Sequence, residues 1–320
     1  MDIVLLMLFI LAFLVAYGIG ARDETMSLIA GSGILGVGAS VFVGAIIDFL
    51  GTLYASREVE KTLGSELLYG IEGVYEVFAI LAAMCIWLLI ASFKGLPIST
   101  THSAVGAVIG VELALLGYVN TEALIKVLEG MVFSPVLGLI LSYLFFKAFK
   151  KLFFEKKRGI IYDIRLSAAS SYLLFILTLI AAFYRSGNDA ANATAFLIKV
   201  TPNALYSRII VALGISLGLL TLGKRIVRNV GSQLVVLDPP SALSIQISTS
   251  ITLGLCTILG LPISGTHVLI MSFLGMTLAR RTWVNLRSLR DITLAWVITL
   301  PLSALLSACI THLLLVLKLL

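Results

Sequence analysis

Apolar positions along this chain come in long blocks, not in alternation. Six blocks, near 2–19, 38–54, 124–147, 166–185, 203–222 and 292–316, approach the ~20 residues a helix needs to cross a hydrocarbon core. Blocks of that length, without ten-residue alternation, predict a helix bundle and not a β-barrel. Shorter half-helices are expected around 24–36 and 188–200, beside the polar stretches "GARDETMS" (20–27) and "SGNDAANA" (186–193).

Two further apolar stretches are interrupted: "GLPISTTHSAVGAVIG" at 95–110 and "GLPISGTHVLIMSFLG" at 260–275. Proline cannot continue a helix and biases the residue before it out of the α region, so breaks are expected at Pro97 and Pro262. Around the second break the arms are roughly 19 and 14 residues, short for two spans of ~20. A re-entrant hairpin with its tip inside the membrane fits better.

The two tips are offset by 165 residues (Ser99 to Ser264), and the other polar pair by 166 (Asp23 to Asp189), so the chain reads as one unit written twice. The first membrane repeat spans 1–147 and the second 166–320. Between them a basic linker, 148–165, lies within "KAFKKLFFEKKRGIIYDIR" and belongs in the cytoplasm by the positive-inside rule. The second repeat has basic loops at Lys224, Arg225 and Arg228 and at Arg280, Arg281, Arg287 and Arg290. Their counterparts, "VEKTL" (59–63) and "LLGYVNTEALI" (115–125), are neutral or mildly acidic. Equivalent loops therefore face opposite sides, and three full crossings per half agree. The expected fold is an all-α polytopic membrane protein of two inverted repeats with broken helices and re-entrant hairpins.

Composition supports this and closes other classes. With 59% hydrophobic and 12% charged residues and a mean hydropathy of +1.08, the chain cannot cover a soluble globule with polar surface. Net charge +6 resides in short loops, as membrane topology requires, so nucleic acid is not a partner. The first block has no preceding Lys or Arg and no cleavage site, and reads as a mature span. Cys85, Cys256 and Cys309 lack metal or redox spacing.

Backbone freed by a broken helix at membrane depth must face protein or a water-filled cavity. A half-helix starting at Ser99 or Thr100 aims free N–H groups at that cavity; hydroxyls of Ser99, Thr100, Thr101, Ser264 and Thr266 add donors, a set suited to a tetrahedral oxyanion. Capping or helix packing is the plainer use of such a cluster. His102 and His267 are proton carriers, substrate donors or hairpin struts. Asn188, Asp189 and Asn192 offer hard oxygen ligands for Na+, and an intramembrane Asp is a functional candidate. Asp48, Glu72, Glu76 and Glu112 lie in or beside apolar runs, whereas Glu58, Glu60 and Glu66 read as loop residues.

At these residues the chain resembles the inorganic phosphate transporter (PiT) family. "GNDAANA" is similar to its GANDVANA signature, "GLPISTTH" and "GLPISGTH" to its paired GLPVSTTH segments, and "TLGKRIVRNVG" (221–231) and "LAWVITLP" (294–301) extend the likeness over nearly the whole chain. The resemblance implies a multi-pass secondary transporter (permease) of the cell membrane. It would carry inorganic phosphate with Na+ or H+ as coupling ion and no other cofactor, by alternating access about a midplane site. By position it implies phosphate ligands at Ser99, Thr100, Thr101, Ser264 and Thr266 and cation ligands at Asp23, Asn188, Asp189 and Asn192. Two departures stand out: Gly265 replaces the middle Thr of the second tip, and Arg22 and Met26 stand where the signature has Asn. Arg22 would then supply a fixed positive charge, fork onto phosphate, or pair with Asp23 or Glu24.

Sulfate or another oxyanion in the same fold is the alternative substrate, and an anion channel a further one. A hydrolase built on Ser99 and His102 lacks an acidic orienter, so the chain is not an enzyme. The architecture admits a homodimer, although no stretch marks an interface.

Overall fold

The computed structural model describes residues 3–71, 73–93, 98–154, 160–228, 239–282 and 286–320. Glu72, Pro97 and the 229–231 end of "TLGKRIVRNVG" lie outside the described residues. Among those described, all regular structure is helical.

The first half runs α1 (Ile3–Gly20), the short α2 (Ser27–Gly31), α3 (Val37–Ala55), α4 (Arg57–Lys61) with a π-helical turn at Thr62–Leu67, α5 (Val74–Phe93), α6 (Thr100–Leu115) and α7 (Thr121–Phe154). The second runs α8 (Ile160–Val200), α9 (Ala204–Gly218) with a π-turn at Leu219–Gly223, α10 (Pro239–Ile258), α11 (Gly265–Arg280) and α12 (Leu286–Val316). The six expected crossings all fall within these helices. Among the described residues eight helices are long and apolar enough to cross a membrane, because α5 and α10, the leading arms of the two broken stretches, also qualify. Large apolar side chains such as Phe42, Val132, Val297 and Val316 face outward. A bundle that is apolar on its outer surface is a multi-pass membrane protein.

Packing between the halves is reciprocal. Helix α6 lies on α12 as α11 lies on α7; α1 lies on α9 as α8 lies on α3; α5 meets α12 as α10 meets α7. Small residues permit the contacts: a Cβ on Gly110 of α6 would stand 2.0 Å from the Ala304 carbonyl oxygen of α12, and one on Gly275 of α11 would stand 2.1 Å from that of Leu139 of α7.

Two expectations change. No separate half-helix begins at 188, because α8 continues unbroken from 160 to 200. Gly187, inside that polar stretch, has a packing reason: a Cβ there would stand 2.6 Å from that of Ala55 on α3. The described parts of the basic linker belong to the neighbouring helices, α7 running to Phe154 and α8 starting at Ile160. Glu60 is not a loop residue. It is buried on α4, paired with Arg208 of α9 and accepting the hydroxyls of Ser56 (2.6 Å) and Thr194 (2.8 Å).

Candidate functional site

The second tip is built by local rules. Helix α10 ends at Ile258, and in the turn after it Gly260 sits at φ +69, a left-handed position that glycine takes without strain, with the Leu261 amide donating to the Cys256 carbonyl (2.8 Å) and that of Gly260 to Thr257 (3.1 Å). Leu261 to Ser264 are then non-helical, with Pro262 inside the gap. Ser264 N-caps α11 by accepting the His267 amide at 3.4 Å, and Ser99 caps α6 from the His102 amide at 3.3 Å.

One face of α8 clamps both tips. Arg185, Asn188, Asp189 and Asn192 recur at helical spacing. The Asn188 side chain donates to the Leu261 carbonyl (2.9 Å) and the Thr257 hydroxyl (3.1 Å) and accepts the Ile263 amide (3.0 Å). Asn192 donates to the Thr101 hydroxyl (3.2 Å), which donates to the Ile263 carbonyl (2.8 Å) and so joins tip to tip. The amide oxygen of Asn192 is buried with no hydrogen-bond partner among the described residues.

In the non-helical stretch after α1, Asp23 accepts the Thr25 amide at 2.7 Å, an Asx-turn. Sequence reasoning missed what faces it. Arg185 is buried among carboxylates, 2.9 Å from Glu24, 3.3 Å from Asp189 and 3.6 Å from Asp23. Its fork takes both oxygens of Glu24 (2.9 and 3.1 Å) and donates to the hydroxyls of Thr25 and Thr266 (3.1 Å each). The signal was present: a lone cation inside an apolar helix, four residues before Asp189, is expensive unless paired. Asp48 of α3 is fully buried too; neither carboxylate oxygen has a donor among the described residues, and Asp23, Asp189 and Arg185 lie within electrostatic reach.

Between the tips and α8 is a polar cavity of ≈ 30 Å³, lined by Arg22, Ser99, Thr100, Arg185, Asp189, Ser264, Gly265 and Thr266, with Ile19 and Ile98 as apolar neighbours. Six of the anticipated site residues, Ser99, Thr100, Ser264, Thr266, Arg22 and Asp189, thus share one cavity. Thr101, Asn188 and Asn192 brace it from behind, and Asp23 joins through Arg185. Arg22 also donates to the Leu88 carbonyl at 3.0 Å. His102 and His267 stand behind the tips with ring centroids 4.9 Å apart, His267 stacked on Trp296 at 3.5 Å and His102 Nδ1 2.9 Å from the Ser99 hydroxyl.

Two helix starts and several hydroxyls converge with buried carboxylates on one cavity inside a membrane bundle, a donor and acceptor set suited to ions. The class it defines is a membrane transport protein. The sequence model described as the phosphate transporter family matches residues 19–307. The protein of Thermococcus kodakarensis named "Putative phosphate permease" is 28% identical, over 99% of both chains. The "Probable low-affinity inorganic phosphate transporter" of Bacillus subtilis is 25% identical over 84% of each. A solved structure, "The sodium-dependent phosphate transporter", superposes with a TM-score of 0.87 at 25% identity, covering 99% of this chain and 100% of its own. The chain belongs to the phosphate transporter family.

Proposed function

We propose that this protein is a secondary active transporter of inorganic phosphate in the cell membrane, coupled to Na+ and working by alternating access of two inverted repeats. The observation that carries the reading is the single cavity where both tips meet buried carboxylates. Phosphate accepts hydrogen bonds from the hydroxyls of Ser99, Thr100 and Ser264, from the free amides opening α6 and α11, and from Arg22, while Thr266 donates to Glu24 and holds Arg185 at the cavity wall. Asp189 at the cavity wall accepts the proton that hydrogen phosphate carries and sulfate lacks at neutral pH, which favours phosphate over sulfate.

Charge supports cation coupling. Asp23, Glu24 and Asp189 carry three formal negative charges against two on Arg22 and Arg185. An anion entering that excess needs cations beside it. Oxygens of Asp189, Asp48 and Asn192 are hard ligands suited to Na+, and the neighbour described as sodium-dependent agrees in kind.

Uptake of labelled phosphate into proteoliposomes, with Na+ and pH gradients imposed separately, tests the proposal. Saturable accumulation driven by the Na+ gradient and little affected by equimolar sulfate is expected. Flux that only equilibrates phosphate would contradict it.

A further inference from the structure

Arg185, on α8 of the second half, is in contact with Glu24, Asp189 and Asp23. The 166-residue offset that relates Asp189 to Asp23 relates Arg185 to Ile19, an apolar wall of the same cavity. The second tip is altered to match. Where the first tip has Thr100, the second has Gly265, and a Cβ at 265 would stand 2.7 Å from Arg185 Nε and 2.9 Å from its Cδ. Contacts that short require displacement of the arginine, so the glycine and the arginine form a fitted pair.

The donors of Arg185 are all committed. A guanidinium has five N–H groups. Here Nε meets Asp189, Nη1 meets Glu24 and Thr25, and Nη2 meets Glu24 and Thr266. None remains for an anion in the cavity. Arg185 therefore acts on the carboxylates, bringing Asp23, Glu24 and Asp189 together around one positive charge that stays with the protein.

We propose that Arg185 is a tethered cation that takes the place of one dissociable coupling cation in each transport cycle, made room for by Gly265 and anchored by Glu24. The inference rests on the cation-coupled phosphate reading above and deepens it. It moves the fixed-charge role that the sequence suggested for Arg22 onto a residue in contact with three carboxylates.

The measurement is the number of Na+ ions coupled to each phosphate, taken from the imposed Na+ gradient at which net phosphate flux reverses in proteoliposomes. The proteins compared are wild type, Arg185→Gln, Arg185→Gln/Glu24→Gln and Arg185→Lys. Loss of the charge alone is expected to add one Na+ per phosphate and steepen the Na+ dependence of uptake. Removing Glu24 as well removes one negative charge with the positive one, and the count returns to the wild-type value; the lysine variant keeps it. An unchanged count in Arg185→Gln, or the same increase in the double variant, overturns the proposal. Should Arg185→Gln be folded but inactive, recovery in the double variant supports a charge role, and inactivity in both overturns it. Wild-type protein that carries no phosphate refutes the parent reading instead, so the two failures are distinguishable.

Discussion

Thr101 and Thr266 occupy equivalent positions in the two tips but differ in their contacts. Thr101 is fully buried and ties Asn192 to the Ile263 carbonyl, whereas Thr266 faces the cavity and bonds Glu24 (3.0 Å) and Arg185. Thr101→Val strands a buried acceptor and donor, with an expected loss of about 1–3 kcal/mol of stability, read as a lowered thermal unfolding midpoint in detergent. Thr266→Val instead weakens apparent phosphate affinity by roughly five- to thirty-fold, about 1–2 kcal/mol, measured as the half-saturating phosphate concentration of uptake at equal expression. Equal stability for Thr101→Val and wild type would remove the strut role. At this scale the hydroxyls, amides and Asp189 were legible because polar types are rare in apolar sequence. Arg185 and Glu24 were not: no motif marks their pairing, since they are 161 positions apart and meet only through the fold.

Breaks and continuities of the helices were legible where a residue type forces them. Pro262 and Gly260 end α10 by stereochemistry, and Ser264 restarts the chain as a cap. The half-helix expected at 188–200 failed because a polar stretch in an apolar run reads as a helix end, whereas α8 runs through it and Gly187 within it serves a close approach to Ala55 that only the neighbouring helix reveals. Glu60 escaped for a similar reason: a charge beside an apolar run reads as solvated until Arg208 arrives from another helix. The close approach of α6 to α12 gives an element-scale prediction. Gly110→Ile inserts a side chain against the Ala304 carbonyl, where even a Cβ lies at 2.0 Å, and is expected to cost more than the ~1–3 kcal/mol of ordinary overpacking. Reduced yield and a lower unfolding midpoint would register it; a wild-type midpoint would show that α6 and α12 have room to part.

For the whole molecule, length and apolarity of the spans were readable because each is a local property. The reciprocal packing of the halves needed three dimensions. Opposite facing of equivalent loops rests on charge, and labelling tests it. Tyr118 and Thr282 are exposed in related loops. In a protein free of Cys85, Cys256 and Cys309, a cysteine at 118 is expected to react with an impermeant thiol reagent on intact cells, and one at 282 only after permeabilisation. Reaction of both from outside would refute the inversion.

The central claim is that one cavity binds phosphate and its coupling cation interdependently, because the buried carboxylates outnumber the arginines. The direct measurement is calorimetric titration of phosphate into the purified protein at fixed pH and ionic strength, in NaCl and in choline chloride. The account predicts phosphate binding at least tenfold tighter in Na+, with a reciprocal gain in Na+ affinity when phosphate is present. Equal phosphate affinity in the two salts would contradict it.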